Sequence, residues 1–252
     1  MERSLSLYTF WEGQKPPTYL QLCMDTWYEN INDLNVEVIN YENLELYVGP
    51  YVDIRKLKAF SLAMQSDVIS SIVLATRGGT FIDIDTIMLP HVDIEFLRAR
   101  NQRLNVFGMP KSGAFHVAVM STTAGNPAVI RWMNEACKRV DLSPQEYRWN
   151  YLAGDILEKM TVDTKYAEYF NIIDRRSSGN ILEAVWNQKY VDFYFSKPHS
   201  DVLTTLREKS PCGILSLHNS WTPSEYSSID DRETILNCDN TLSQILKLSL
   251  GC

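Results

Sequence analysis

Apolar residues along this chain switch repeatedly between two spacings. Residues 5–11 alternate apolar with polar and are rich in aromatics, as in a first strand, and Glu12-Gly13-Gln14-Lys15-Pro16-Pro17 ends the run. Residues 18–30 carry Leu22 and Trp27, followed by Ile31, near helical spacing, and 35–39 return to a short strand, giving a β-α-β opening. The longest helical signal covers 51–77, where Leu57, Phe60, Met64, Val68, Ile72 and Ala75 lie three or four apart. Gly78-Gly79 stops it, and 80–82 begin a strand that delivers Asp83 and Asp85. Further strands are predicted over 104–108, 116–121, 170–173, 191–195 and 213–217, and helices over 127–140, 147–160 and 241–250. Strands and helices alternate without internal repeats or low-complexity linkers. The pattern therefore predicts one α/β domain over residues 1–252, with a helical tail from about 223.

Composition narrows the class. Hydrophobic residues make up 45% of the 252 and charged residues 22%, ordinary values for a chain that buries a core. The net charge is −7 and Lys and Arg form no block, which argues against nucleic acid as a partner. Cys23, Cys137, Cys212, Cys238 and Cys252 are odd in number and far apart, without a C-x-x-C pair. They indicate neither a zinc knuckle nor a disulfide framework, but reduced thiols in a cytoplasmic protein. Met1-Glu2-Arg3-Ser4 leads into a strand without the apolar core of a signal peptide, and no stretch approaches the ~20 apolar residues that span a bilayer. A soluble protein is expected.

Candidate chemistry centres on Phe81-Ile82-Asp83-Ile84-Asp85. Its apolar residues place the segment in a core, yet two carboxylates stand two apart where it ends. In a continuing strand both would point to one face, and burying both unpaired is costly. A hard divalent cation, Mn²⁺ or Mg²⁺, relieves that cost by taking carboxylate oxygens together with substrate phosphates. A strand end whose carboxylates reach solvent is the plain alternative. Upstream lie Ser66-Asp67, a mostly apolar helix, and the glycine pair, which tolerates the positive φ of an abrupt reversal.

Ser66-Asp67-Val68-Ile69-Ser70, followed by Gly78-Gly79-Thr80-Phe81-Ile82-Asp83-Ile84-Asp85, resembles the pattern S-D-x-x-R, helix, G-G-x-Y-x-D-x-D. That pattern belongs to D-x-D glycosyltransferases of the capsular-polysaccharide and mannosyltransferase type, relatives of the glucosyltransferase domains of large clostridial toxins. The likeness is specific over about residues 50 to 90. Phe10-Trp11-Glu12-Gly13 stands where the family carries a W-x-G segment, and Leu217-His218-Asn219-Ser220-Trp221 fits its late closing segment. The resemblance implies a GT-A type, Rossmann-like single domain with a mixed, mostly parallel sheet, binding the nucleotide at the carboxyl ends of its strands. It implies Asp85 as principal metal ligand, with Asp83 on donor hydroxyls or on the metal through water, and Asp67 on the transferred sugar. Phe10, Trp11, Leu62, Ser66, Ser70, Phe81, Ser220 and Trp221 would complete the donor site, Trp11 against the base. His218 is either a ligand of the metal or a phosphate, or a plain surface histidine, whereas His91, His116 and His199 have no partner pattern. The implied activity is retaining transfer from a nucleotide sugar, a UDP-sugar first, to a glycan or lipid-linked saccharide. Its suggested front-face mechanism needs no protein nucleophile.

This sequence departs from the family at Ser70, where Arg stands, at Phe81, where Tyr stands, and at Asp155, where Ala153-Gly154-Asp155 replaces T-G-P. A hydroxyl cannot reproduce the bidentate fork of Arg. Two rival readings remain. In the first, Phe81 to Thr86 resembles the nucleophile strand of a haloacid-dehalogenase phosphatase, with residues 117–122 as its second strand. That motif expects its Thr one place later and leaves Ser66-Asp67 and Gly78-Gly79 unexplained. The other is a non-catalytic carbohydrate-binding protein on the same scaffold, against which the intact D-x-D argues. The C-terminal stripe Leu242, Ile245, Leu246, Leu248 reads as a packed helix; left free, it would give peripheral contact with a membrane carrying lipid-linked acceptors.

Overall fold

The computed structural model describes residues 4–13, 15–98, 102–109, 115–142, 146–174, 187–198 and 202–252. The chain forms two compact units, each assembled from three separate stretches. Residues 1–12, 35–82 and 95–174 make the first unit, and 13–34, 83–94 and 175–252 the second.

The first unit is built on a six-stranded sheet of β1 (Leu5–Phe10), β2 (Leu34–Ile39), β3 (Gly79–Ile82), β5 (Leu104–Gly108), β6 (Phe115–Thr122) and β7 (Phe170–Asp174), in the order β2-β1-β3-β6-β5-β7. β1 runs parallel to β3, and β5 parallel to β7, while β6 runs antiparallel to both β3 and β5. Four strands thus share one direction and β6 alone is shown opposed to them, so the sheet is mixed and largely parallel. Such sheets need apolar cover. Part of it comes from α4 (Leu62–Thr76), which packs on the short α2 (Leu44–Val48) and on α6 (Pro127–Leu142), itself in contact with α7 (Gly154–Thr161). Val68, Ile69, Ile72, Val73, Trp132, Ala136 and Leu157 fill that core. A further short helix, α5 (Ile94–Arg98), precedes β5.

Two expectations fail in this unit for local reasons. The long helix expected over 51–77 is two helices, α3 (Ile54–Leu57) and α4. Asp53 caps the first by accepting from Arg55 N–H, and Ser61 caps the second by accepting from Met64 N–H. A side-chain oxygen that satisfies free amides at position 61 starts a new helix there. The helix expected over 147–160 begins only at Gly154; Tyr147 instead stacks on Tyr151 and packs against Phe60, with ring centroids 6.2 and 4.9 Å away. The glycine pair behaves as read. Gly78 and Gly79 have φ of 68° and 93°. A Cβ at Gly78 would lie 2.4 Å from Ala124 N, so both conformation and space demand glycine.

The second unit contains α1 (Thr18–Asn30), a two-stranded antiparallel sheet of β4 (Thr86–Met88) and β8 (Ile214–Ser216), and the helices α8 (Asn187–Tyr194), α9 (Val202–Lys209), α10 (Ser224–Ser227), α11 (Arg232–Leu236) and α12 (Thr241–Ser249). The strand expected over 191–195 falls largely in α8, where Tyr190 and Tyr194, four apart, bring their ring centroids to 4.9 Å. Five residues are too few to separate the two periods. Leu242, Ile245 and Leu246 are fully buried, so the C-terminal stripe takes the packed alternative. None of the described helices is long and apolar enough to cross a membrane. No disulfide joins any of the five cysteines.

Candidate active site

The segment after β3 does not continue as a strand. β3 ends at Ile82, and Thr86 N–H then donates to Asp83 O at 3.1 Å, closing a turn before β4 begins. The two carboxylates therefore flank a turn, not one face of a strand. Through the turn Asp83 stays half-buried, while Ile84 and Asp85 are both buried. Helix α1 supports this corner: Trp27 Nε1 donates to Thr86 O at 2.6 Å, Thr26 Oγ1 accepts from Met88 N–H at 2.9 Å, and Asn30 Nδ2 donates to Met88 O at 3.0 Å.

Asp85 is only 8% exposed. Its Oδ2 accepts from the Asn219 backbone N–H at 2.8 Å, and its own carbonyl accepts from Leu217 N–H at 3.0 Å. The closing segment is thus joined to the D-x-D by an extension of the β4–β8 pairing. Burial pushes the Asp85 carboxyl up to about 6, and the Asn219 N–H opposes that rise. No cationic side chain among the described residues pairs with it. A buried carboxylate met by backbone donors and no countercharge is an incomplete site.

The rest of the closing segment lies on buried phenols. The His218 and Trp221 rings stack with centroids 4.2 Å apart, and each meets Tyr190 nearly edge-on at 5.8 Å. Ser220 is exposed, while Asp83, His218 and Trp221 are half-buried. Among the described residues no group of three or more His, Cys, Asp or Glu side chains is arranged to hold a metal, and Asp83, Asp85 and His218 do not form one.

The other predicted residues belong to the first unit. Asp67 lies on α4 and keeps part of its surface exposed, yet protein surrounds its carboxyl closely enough for desolvation alone to push it up to about 8. Among the described residues nothing donates to that carboxyl. Ser66, on the same helix, is half-buried. Ser70 is buried and its hydroxyl donates back to Asp67 O at 3.0 Å, so it is committed to the helix backbone. Leu62, the first residue of α4, is 49% exposed. Trp11 follows β1, half-buried, its N–H donating to Ile39 O at 3.0 Å. Phe10 and Phe81 are buried in the core. Beyond the predicted set, Tyr41 borders Phe10 at 6.3 Å and donates through its hydroxyl to Gln65 Oε1 at 2.7 Å, with Lys58 Nζ 3.8 Å above its ring. Of the remaining histidines, His91 is exposed with Nε2 3.0 Å from Ser210 O, His116 is half-buried on β6, and His199 lies outside the described residues.

The Streptococcus pneumoniae TIGR4 glycosyltransferase GlyE superposes with a TM-score of 0.51 at 11% identity, over 99% of this chain and 61% of that one. The fold is of the GT-A, Rossmann-like α/β type. The galactosyltransferase LgtC, in complex with donor and acceptor sugar analogs, matches with a TM-score of 0.49 at 10% identity, over 98% of this chain and 95% of LgtC. The PaToxG glycosyltransferase matches with a TM-score of 0.45 at 16% identity, over 97% and 87% of the two chains. No protein-family model matches the sequence, and no curated protein does. The likeness is one of fold.

Proposed function

We propose that this chain is a metal-dependent, retaining glycosyltransferase of polysaccharide synthesis, of the capsular-polysaccharide and mannosyltransferase type. It takes a nucleotide sugar, a UDP-sugar first, and passes the sugar to a glycan or lipid-linked saccharide. The observation that carries this reading is Asp85, a buried carboxylate with backbone donors alone and no cationic partner among the described residues, at the end of the D-x-D. Such a group fits a hard cation such as Mn²⁺ or Mg²⁺, which favours carboxylate oxygens and fills its remaining positions with donor phosphates and water. A set completed by the donor is consistent with the lack of a three-residue protein cluster among the described residues.

Asp85 and Asp83 would hold the cation, with His218 on it or on a phosphate. When bound, it would neutralise charge gathering on the departing nucleoside diphosphate. Asp67 would take a hydroxyl of the transferred sugar, which supplies the donor its buried carboxyl lacks. Trp11 offers a half-buried indole for the base, with Phe10, Leu62, Ser66, Phe81, Ser220 and Trp221 in supporting contacts. Ser70, tied to its own helix, would add little. Five cysteines without a disulfide among them would suit a cytoplasmic setting, and contact with any lipid-borne acceptor would be peripheral. Calorimetric titration with UDP tests the reading. Binding should need Mn²⁺, vanish with chelator and be lost in Asp85→Ala; metal-independent binding in both proteins would refute it.

A further inference from the structure

The closing turn of the second unit rests on two side chains to which the proposed function gives no task. Tyr19, in α1, is fully buried, and a buried phenol needs a polar partner. Its hydroxyl donates to Asn219 Oδ1. Asn219 is itself exposed, so packing gives it little reason to hold one position. Yet its backbone N–H is aimed at Asp85 Oδ2, 2.8 Å away. Tyr190, fully buried in α8, acts at both ends of the turn: its hydroxyl accepts from His218 N–H at 3.3 Å and lies 3.4 Å from Thr222 Oγ1. Two phenols on two helices thus hold a segment whose side chains are half-buried or exposed.

We infer that Tyr19 is a positioning residue: through the Asn219 amide it fixes the backbone N–H that Asp85 accepts, and so orients that carboxylate before any ligand arrives. An N–H donating to a carboxylate is among the stronger and more directional hydrogen bonds. It holds Oδ2 of Asp85 in place. Asn219 presents its two ends in opposite roles, the amide oxygen toward the protein interior and the backbone donor toward the site. A segment held this way is formed in advance, so its order does not depend on ligand. Only the consequence for cation binding rests on the function proposed above; the positioning itself rests on the Tyr19–Asn219–Asp85 chain of hydrogen bonds.

The test uses the full chain with Tyr19→Phe, which keeps the ring and removes only the hydroxyl, and Asn219→Ala, at an exposed position. Hydrogen exchange is followed at the position-219 amide, corrected for intrinsic rate, and Mn²⁺ affinity is measured in the presence of UDP. Each variant should exchange about tenfold faster there, the scale of one lost hydrogen bond, and bind Mn²⁺ about tenfold more weakly. The double variant should be no worse than either single one, because both remove the same contact. In an Asp85→Asn background, Tyr19→Phe should leave residual Mn²⁺ affinity unchanged. Unchanged exchange at position 219 in Tyr19→Phe, or losses that add in the double variant, would overturn the inference. If the parent chain binds neither Mn²⁺ nor UDP while the exchange pattern holds, the metal reading falls and the positioning role stands. If Mn²⁺ and UDP bind normally and exchange is unaltered in the variants, the positioning role falls and the metal reading stands.

Discussion

Asp67 and Asp85 are both carboxylates held in protein, one on α4 of the first unit and the other at the β4–β8 corner of the second. Burial raises both, yet Asp67 reaches about 8 and Asp85 only about 6. Backbone donors distinguish them: Asn219 N–H, and after it the N–H of Asp85 itself, serve the Asp85 carboxyl, and nothing among the described residues serves Asp67. The corner is partly satisfied in advance. The helix site has no donor for its carboxyl among the described residues, and in the proposed function a sugar hydroxyl would supply one.

Catalysis should break the comparison most severely. Asp85→Ala is expected to lower kcat/KM for transfer by at least about 10³-fold, with Asp83→Ala nearly as damaging, because charge on the leaving diphosphate would go unmet. Steady-state kinetics at saturating Mn²⁺ check this, and near-normal turnover in Asp85→Ala would contradict it.

Stability against pH sharpens the contrast. Both carboxyls bind a proton more readily in the folded chain than at their ordinary value of 3.8. Their contribution to stability is therefore fully present below that pH and is lost as pH rises, through about 6 for Asp85 and about 8 for Asp67. Asp67→Asn should then stabilise the unliganded protein at pH 9 by on the order of 2 kcal/mol relative to its effect at pH 4, a figure discounted for solvent around Asp67. Asp85→Asn should stabilise it by roughly half as much, because its carboxylate already has a donor. Urea unfolding at the two pH values measures both, and an equal or reversed order would remove the distinction.

Smaller effects belong to the flanking rings. Trp11→Ala should weaken nucleotide and donor about tenfold while kcat changes less than about threefold, the mark of uniform binding lost. An insoluble Trp11→Ala protein would instead make the indole a core residue. His218→Ala should lower turnover roughly fivefold with a smaller change in nucleotide affinity, a contact that strengthens as charge develops. Unimpaired turnover would leave His218 a structural residue, packed on Trp221 and Tyr190.

Much of this was legible in the sequence where local signals act alone. Helix α1 spans the residues that its apolar spacing predicts, and Gly78-Gly79 announces the turn into β3 because only glycine adopts those angles there. The break between α3 and α4 was written in Ser61 but masked by apolar residues that keep helical spacing across it. The strand expected at 191–195 failed because a five-residue window of mixed aromatics fits either period. At the site, D-x-D and the closing segment were visible as motifs, but the turn after Ile82 was not, since two carboxylates two apart read equally as one strand face. The Asn219–Asp85 bond was illegible, because a backbone N–H carries no residue signature and its partner lies far away in sequence. Tyr19 looked like any aromatic on a helix until its hydroxyl was placed on Asn219.

The central claim is transfer from a nucleotide sugar by way of a cation at the D-x-D. Incubating the chain with a panel of nucleotide sugars, with Mn²⁺ or with chelator, and measuring released nucleoside diphosphate tests it most directly. The account predicts slow hydrolysis of at least one donor, a UDP-sugar first and GDP-mannose second, dependent on Mn²⁺ and absent in Asp85→Ala. Hydrolysis of simple phosphomonoesters in place of nucleotide sugars, or donor turnover indifferent to both chelator and Asp85, would contradict it.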